Sequence, residues 1–157
     1  MVVEPLVRQA WAEEDARMTF TIREYSPGDA DAAVALWTEA GLVRPWNDPH
    51  HDIARAYDTW PKHFLVAVDE SDHVIGTVLS GFDGHRGWLY YLAVAPLAQG
   101  SGIGKALVQE AEERLKSLGC VKIQLMVRSS NTDVLRFYES LGYEISDAVV
   151  TGKRLDS

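Results

Sequence analysis

The sequence predicts an α/β fold in which helices cover both faces of a mixed, mostly antiparallel β-sheet. Three β-type runs, at residues 64–68, 74–80 and 88–94, are separated by polar turns, which is typical of an antiparallel meander. Residues 103–118 instead repeat apolar side chains every three or four positions, the period of an amphipathic helix. Because strands and helices share a chain of only 157 residues, we expect them to pack around one core.

The first half of the chain has clear start and stop signals. A strand is predicted at residues 19–23, and a helix begins after Ser26, a capping residue that proline follows. A second helix begins after Asp48, again a capping residue before proline, and ends at Pro61. The three strands of the meander come next.

The second half predicts further alternation of strand and helix. After the amphipathic helix, residues 121–127 alternate as a strand and residues 131–141 form a helix. A last strand pair is predicted within residues 143–154, where it offers an edge for a dimer. The protein is therefore expected to be a monomer or a homodimer.

The domain itself is predicted to occupy residues 18–157, behind an acidic extension at residues 1–17. That extension lacks the apolar core of a signal peptide. Met18 lies directly before the first strand, so it is an alternative start site, and the sequence leaves both possibilities open. No segment approaches the ~20 apolar residues that a membrane span needs.

Charge and cysteine content exclude several classes of function. The formal net charge of −8 disfavours a nucleic acid or an anionic membrane as partner and suits a cationic one. The single cysteine, Cys120, cannot form an internal disulfide, which agrees with a cytoplasmic protein. The histidines lack the spacing of a zinc motif, so we expect no metal site.

A glycine-rich segment, Gln99-Gly100-Ser101-Gly102-Ile103-Gly104-Lys105, joins the third meander strand to the amphipathic helix. Glycines let backbone N–H groups converge, and a helix N-terminus favours anions, so such a turn suits phosphate. The dinucleotide pattern fails because it needs glycine at Lys105, and the Walker A pattern fails at Gln99 and Ala106. A turn that only connects strand to helix is the structural alternative.

Three segments together resemble the GNAT superfamily of N-acetyltransferases. Residues 99–104 match its Q/R-x-x-G-x-G/A pyrophosphate loop, and residues 92–96 are similar to the bulged strand that leads into it. Residues 131–143 resemble its N-x-x-A-x-x-x-Y-x-x-x-G-F/Y segment, with Val134 in place of the usual alanine. Residues 42–49, 81–87 and 152–155 are similar to the bacterial YpeA-like branch of this superfamily.

The resemblance implies that acetyl-CoA binds where two central strands splay apart, between residues 88–94 and 121–127. Its pantetheine would bond to the strand backbone, and its pyrophosphate to the glycine loop. Because Gln99 is uncharged, the pyrophosphate depends more on Lys105 and on backbone amides. The implied contacts are Leu92, Ala93, Val94, Gln99, Gly100, Ser101, Gly102, Ile103, Gly104, Lys105, Asn131 and Tyr138.

The same resemblance implies a direct transfer of acetyl to a primary amine, with Tyr138 as the general acid for the departing thiolate. From helical spacing alone Tyr138 is more simply a core residue, and Asn131 a helix cap. Strand 88–94 contains no acidic residue that could act as the general base. Its candidates are Asp48, His50, His51, Asp83 and His85, each of which also suits a cap, a turn or a solvated surface, with a chain of water as a further option.

The acceptor is expected to be the amine of a small molecule, a protein N-terminus or a lysine. Two functions of other classes stay open. The missing base leaves room for a noncatalytic acyl-CoA-binding regulatory module. A nucleotide-binding protein is disfavoured by the glycine spacing.

Overall fold

The structure, a computed structural model, describes residues 18–156. The predicted extension at residues 1–17 lies outside the described residues, as does Ser157. The strands are β1 (Thr21–Glu24), β2 (Phe64–Val68), β3 (Val74–Phe82), β4 (Gly87–Val94) and β5 (Ile123–Gln124). The α-helices are α1 (Ala30–Glu39), α2 (Pro49–Thr59), α3 (Ile103–Ser117) and α4 (Thr132–Ser140), and short 3-10 turns lie at Pro27–Asp29, Pro61–His63 and Pro96–Ala98.

The five strands form one sheet in the order β1-β2-β3-β4-β5. The pairs β1–β2, β2–β3 and β3–β4 are antiparallel, and β4 pairs with β5 in parallel. Polar turns make the antiparallel connections tight, as where Asp83 accepts hydrogen bonds from the backbone of the next residues. The predicted mixed, mostly antiparallel sheet is confirmed.

Helices cover both faces of this sheet, which is why β2 is buried along its whole length. Phe64 and Val66 belong to a cluster with Trp37 of α1 and Ile53 of α2. On the other face, Ala67 of β2 lies beside the apolar stripe of α3. Within residues 18–156, no helix is both long and apolar enough to cross a lipid bilayer.

Two compact units make up the chain, with the division after Leu125. The first contains the sheet and the helices α1 to α3. The second contains α4, and residues 126–156 hold no strand.

Two strand predictions in the second half need correction. The strand expected at residues 121–127 is only Ile123–Gln124, and the pair expected within 143–154 is wrong because residues 143–156 form no strand. Apolar alternation marks a possible strand, but a strand exists only where a neighbour satisfies its backbone. Without one, Ile145 and Val149 remain 85% and 88% exposed, and the dimer edge assigned to that pair is absent as well.

Helix α3 lies against the sheet at glycine positions. A Cβ on Gly76 would stand 2.9 Å from Cγ2 of Ile103 and 3.0 Å from Cδ1 of Leu107. Real Cβ atoms do not approach that closely, so the first turn of α3 depends on this glycine.

We expect Gly76→Ala to lower the free energy of unfolding by about 1–3 kcal/mol, the usual cost of overpacking. Gly28→Ala is the matched control, because a Cβ there meets nothing within 4 Å. Urea denaturation of both variants measures the difference. Equal midpoints for Gly76→Ala and the wild type would contradict the close packing of α3.

A buried histidine makes stability depend on pH. His63 is 7% exposed, and its Nδ1 lies 3.2 Å from Oγ of Ser80. Burial lowers its pKa from the ordinary value, and the charge of Arg114 lowers it further. The unfolded chain therefore takes up this proton at a higher pH than the folded protein does.

The contribution of His63 to the free energy of unfolding should be complete above the ordinary histidine pKa of about 6.5. It should decrease as the pH drops below that value. We expect the unfolding free energy of the wild type to decrease from pH 7 to pH 5, and His63→Gln to flatten this decrease. The exposed His51, changed to Gln, is the control. Parallel pH profiles for wild type and His63→Gln would show that His63 is not responsible.

Candidate active site

The glycine loop has the backbone conformation that its sequence predicts. It follows the turn Pro96–Ala98 at the end of β4 and leads directly into α3. Gly100 and Gly102 have φ values of +80° and +82°, which residues with a Cβ rarely adopt. The backbone conformation of the loop therefore requires glycine at both positions. Without a Cβ there, the backbone of the loop is accessible to a ligand.

The N-terminus of α3 is free of any side-chain cap. Gly102 is the N-cap residue, and the first intrahelical hydrogen bond runs from the Ala106 N–H to the Gly102 carbonyl. The amides of Ile103, Gly104 and Lys105 precede it and have no helical acceptor. Converging amides at the end of a 15-residue helix favour an anion such as a phosphate group.

Beside this loop, one edge of β4 is open. Strand β5 pairs only with Gly87 and Trp88, whereas β3 pairs with β4 as far as Val94. From Leu89 onward no described strand covers the second edge of β4. Backbone donors and acceptors there can bind an extended ligand as an added strand would.

A β-bulge interrupts β4 in this open stretch. Thr77 pairs with Ala93, but Leu79 pairs with Tyr90, so Tyr91 and Leu92 share the place opposite a single β3 residue. Tyr91 has a φ of +50°, an unfavourable value for a residue with a large side chain. Such strain persists only where the surroundings hold it.

Four side chains hold the bulge. The indole Nε1 of Trp37 donates to Oγ1 of Thr77 at 2.9 Å, and that hydroxyl donates to the Tyr91 carbonyl at 2.8 Å. The rings of Trp37 and Tyr91 stack with centroids 3.8 Å apart. The Tyr91 hydroxyl donates to Oδ2 of Asp52 at 2.7 Å, and burial together with this bond raises the tyrosine pKa above its ordinary value.

Sequence reasoning missed this network, because the side chains come from α1, α2, β3 and β4 and follow no shared spacing. The local signal is that β3, a largely apolar strand, contains the hydroxyl residues Thr77 and Ser80. A fully buried hydroxyl indicates a structural partner.

We expect Asp52→Asn to relax the bulge and weaken acetyl-CoA binding about tenfold, the effect of ~1.4 kcal/mol. An amide accepts a weaker bond from the Tyr91 hydroxyl than a carboxylate does. Isothermal titration with acetyl-CoA measures the change. Asp58→Asn, an exposed position on the same helix, is the control, and equal affinities for both variants would mean that Asp52 does not position the strand.

Gln99 ties the loop to the strand. Its Nε2 donates to the Val94 carbonyl at 3.3 Å. The residue is exposed and presents no charge to a phosphate. The groups of the loop that can attract an anion are therefore the backbone amides and the exposed Lys105.

The predicted bases lie at the N-terminus of α2 and in the β3–β4 turn, and most of them have hydrogen-bond partners. Asp48 caps α2 by accepting from the N–H groups of His50 and His51, at 3.0 Å and 3.4 Å. Nε2 of His50 lies 3.2 Å from a carboxylate oxygen of Asp31 on α1. Asp83 accepts three N–H bonds, and Nδ1 of the exposed His85 contacts Arg86 at 3.5 Å.

Helix α4 carries the two predicted residues of the second unit. Oδ1 of Asn131 accepts from the Val134 N–H at 3.4 Å, so Asn131 is the N-cap. Tyr138 is 7% exposed, with Phe137 and Tyr143 in edge contact at centroid distances of 5.1 Å and 5.3 Å. Burial raises the pKa of Tyr138 to about 12, which keeps its hydroxyl protonated.

A cavity of about 380 Å³ opens between α2 and the strands β3 and β4. The charged and aromatic residues that line it are Arg55, Trp60, Phe82, Asp83, Trp88 and Tyr90. Its volume falls within the range of small-molecule pockets, and aromatic residues contribute much of its lining. Within the described part of the chain, no group of three or more His, Cys, Asp or Glu side chains could hold a metal ion.

Comparison with known sequences identifies the family. A family model described as the acetyltransferase (GNAT) family matches residues 31–143. An acetyltransferase of Pectobacterium atrosepticum is 46% identical over 134 residues, which cover 85% of this chain and 94% of that protein.

Solved structures share the fold. Ard1 from Thermoplasma volcanium aligns with a TM-score of 0.73 at 23% identity, covering 81% of this chain and 84% of that one. A chain of the NatC complex bound to Gag peptide and CoA aligns with a TM-score of 0.69 at 24% identity, covering 79% and 84%. Because the family model spans most of the sequence and a close relative covers nearly all of it, the chain belongs to the acetyltransferase (GNAT) family and is an acyltransferase.

Proposed function

We propose that the protein is an acetyl-CoA-dependent N-acetyltransferase that transfers acetyl directly to a primary amine in a ternary complex. The observation that carries this proposal is the uncapped N-terminus of α3 beside the open edge of β4. The helix N-terminus suits a pyrophosphate, and the open strand edge suits an extended chain with amide groups. CoA contains both of these parts.

The residues present fit this ligand. Backbone amides of residues 100–105 and the Lys105 ammonium hold the pyrophosphate, while the backbone of Leu92 and the N–H of Val94 pair with the pantetheine. Asn131 adds a further contact from the start of α4. Acetyl-CoA supplies, when bound there, an acetyl group activated as a thioester.

In the transfer, the acceptor nitrogen forms a bond to the acetyl carbon and the carbon–sulfur bond breaks. A backbone N–H of the bulged strand polarises the thioester carbonyl. Tyr138 donates its hydroxyl proton to the departing sulfur, and because burial raises its pKa to about 12 this proton is present at neutral pH. The nitrogen gives up a proton to solvent water as the amide forms, and water returns a proton to the Tyr138 phenolate.

The acceptor must lose a proton to react, since an alkyl ammonium has a pKa near ~10. The candidate bases are all exposed and in contact with solvent, and Asp48 and Asp83 accept hydrogen bonds from N–H groups. We therefore assign this proton to solvent water. The rate should rise with pH as the neutral fraction of the amine grows.

The acceptor is the amine of a small molecule, a protein N-terminus or a lysine side chain, and the charge of −8 favours a cationic one. The lone cysteine agrees with a cytoplasmic location.

Isotopically labelled acetyl-CoA, incubated with the protein and a desalted lysate supplemented with metabolites, tests the function. We expect label in either the macromolecular or the small-molecule fraction, and we expect Tyr138→Phe to remove most of it. If acetyl-CoA binds but neither fraction is labelled, the protein is a noncatalytic CoA-binding module and the proposal is wrong.

A further inference from the structure

The cavity between α2, β3 and β4 has an unusual lining. Four of the residues that line its volume of about 380 Å³ are aromatic, namely Trp60, Phe82, Trp88 and Tyr90. Tyr90 is 42% exposed, so part of this aromatic surface faces solvent. The negative faces of such rings attract cations, and indole does so most strongly.

One anion is fixed at the cavity. Oδ1 of Asp83 accepts from the backbone N–H groups of His85 and Arg86, each at 2.7 Å. Its Oδ2 accepts from Nε1 of Trp88 at 3.1 Å, which ties the anion to the aromatic lining. These donors hold the pKa of Asp83 at about 2, so the side chain is a permanent charge and a poor base.

The charge of Asp83 reaches the lining. Tyr90 has a raised pKa, mainly because it is partly buried and also because Asp83 is near. Arg55 of α2 is the cation at the cavity, and it would repel a positively charged ligand. Asp83 and Arg55 should thus act on a charged ligand in opposite directions.

The cavity adjoins the place where chemistry is proposed. Tyr90 is the residue before the bulge at Tyr91 and lies two residues from Leu92, about 7 Å along a strand. Helix α2 reaches both places, since Asp52 holds the bulge and Arg55 lines the cavity. A ligand in the cavity can therefore extend a short chain to the open stretch of β4.

We propose that this cavity binds the non-reacting end of the acceptor, and that this end carries a second positive charge, as in a diamine. The proposal rests on the acetyl transfer proposed above. The charged end lies among the aromatic rings beside Asp83, and the other amine reaches the bulge.

Three acceptors of equal length test it: 1,5-diaminopentane, pentylamine and 5-aminopentanoate. We expect kcat/KM to be about tenfold higher for the diamine than for the monoamine. A factor of this size corresponds to the attraction of one cation to an aromatic surface. The aminocarboxylate should be the poorest. Equal values for diamine and monoamine, or preference for the aminocarboxylate, would overturn the proposal.

Single substitutions separate the effect of the charged side chains from the effect of the aromatic rings. Asp83→Asn keeps an oxygen for the two backbone donors and removes the charge, so the ratio of diamine to monoamine should fall. Arg55→Ala removes the repulsive cation, so the ratio should rise. Tyr90→Leu should lower the ratio, and Tyr90→Phe, which keeps the ring, should restore it. An unchanged ratio in both Asp83→Asn and Arg55→Ala would show that the ligand's second charge is not bound in the cavity and would overturn the proposal.

Binding without turnover distinguishes the two proposals. Trp60 and Trp88 line the cavity, so 1,5-diaminopentane should change tryptophan fluorescence, and Asp83→Asn should weaken this change. If that binding occurs and no amine is acetylated, the cavity assignment is supported and the transferase proposal fails. If amines are acetylated with no preference for a second charge, only the cavity assignment fails.

Discussion

Replacing Tyr138 by phenylalanine should lower kcat by about 100-fold or more, the contribution of a general acid to a proton transfer. The change removes one hydroxyl from a buried ring and leaves the edge contacts with Phe137 and Tyr143 in place. Acetyl-CoA affinity should change little, because the loop and strand that hold the cofactor are untouched. Steady-state kinetics and calorimetric titration measure the two effects separately.

Tyr143→Phe is the matched control, since it removes a hydroxyl from the adjacent ring and should leave kcat near the wild-type value. The pH profile gives a second test. Because the pKa of Tyr138 is about 12, the wild-type rate should rise as the amine is deprotonated and should not decline up to about pH 10. A Tyr138→Phe enzyme with wild-type kcat would remove Tyr138 from the mechanism.

Changing Gly102 to glutamate should raise the dissociation constant of acetyl-CoA by about 100-fold, or ~2.7 kcal/mol. The new carboxylate would stand at the N-cap of α3, where the helix end attracts an anion, and would occupy the place of the pyrophosphate. It would also repel that group directly. Calorimetric titration measures the loss.

Backbone strain must be separated from charge, because Gly102 has a positive φ. Gly102→Ala introduces the strain of about 1–2 kcal/mol without the charge. Gly119→Glu introduces both at the other end of α3, where φ is +86° and a Cβ meets nothing within 4 Å. We expect strong acetyl-CoA binding by Gly119→Glu, and tight binding by Gly102→Glu would show that the loop does not hold the pyrophosphate.

Much of the fold could be predicted from the sequence because its signals are local. Periodicity marked α3, and proline after a capping residue marked the start of α2. The loop glycines were readable because their path needs positive φ values. The strands expected at 143–154 failed because pairing depends on a neighbour, which apolar alternation does not report.

The site divides in the same way. Motif spacing pointed to the loop and to Tyr138, whereas the support for the bulge by Trp37, Thr77 and Asp52 became visible only in three dimensions. The cavity was equally hidden, since its rings come from Trp60, directly after α2, and from the strands β3 and β4. Asp83 was predicted as a possible base, and its three N–H partners favour a fixed charge instead.

Hydrogen exchange with and without acetyl-CoA tests the central claim most directly. The account predicts slower exchange of backbone amides in two places, the open stretch of β4 around Leu92 and Val94 and the first turn of α3 at residues 103–105. Gly102→Glu should lose this protection under the same conditions. Binding of acetyl-CoA that protects other segments and leaves both of these unchanged would contradict the proposed site.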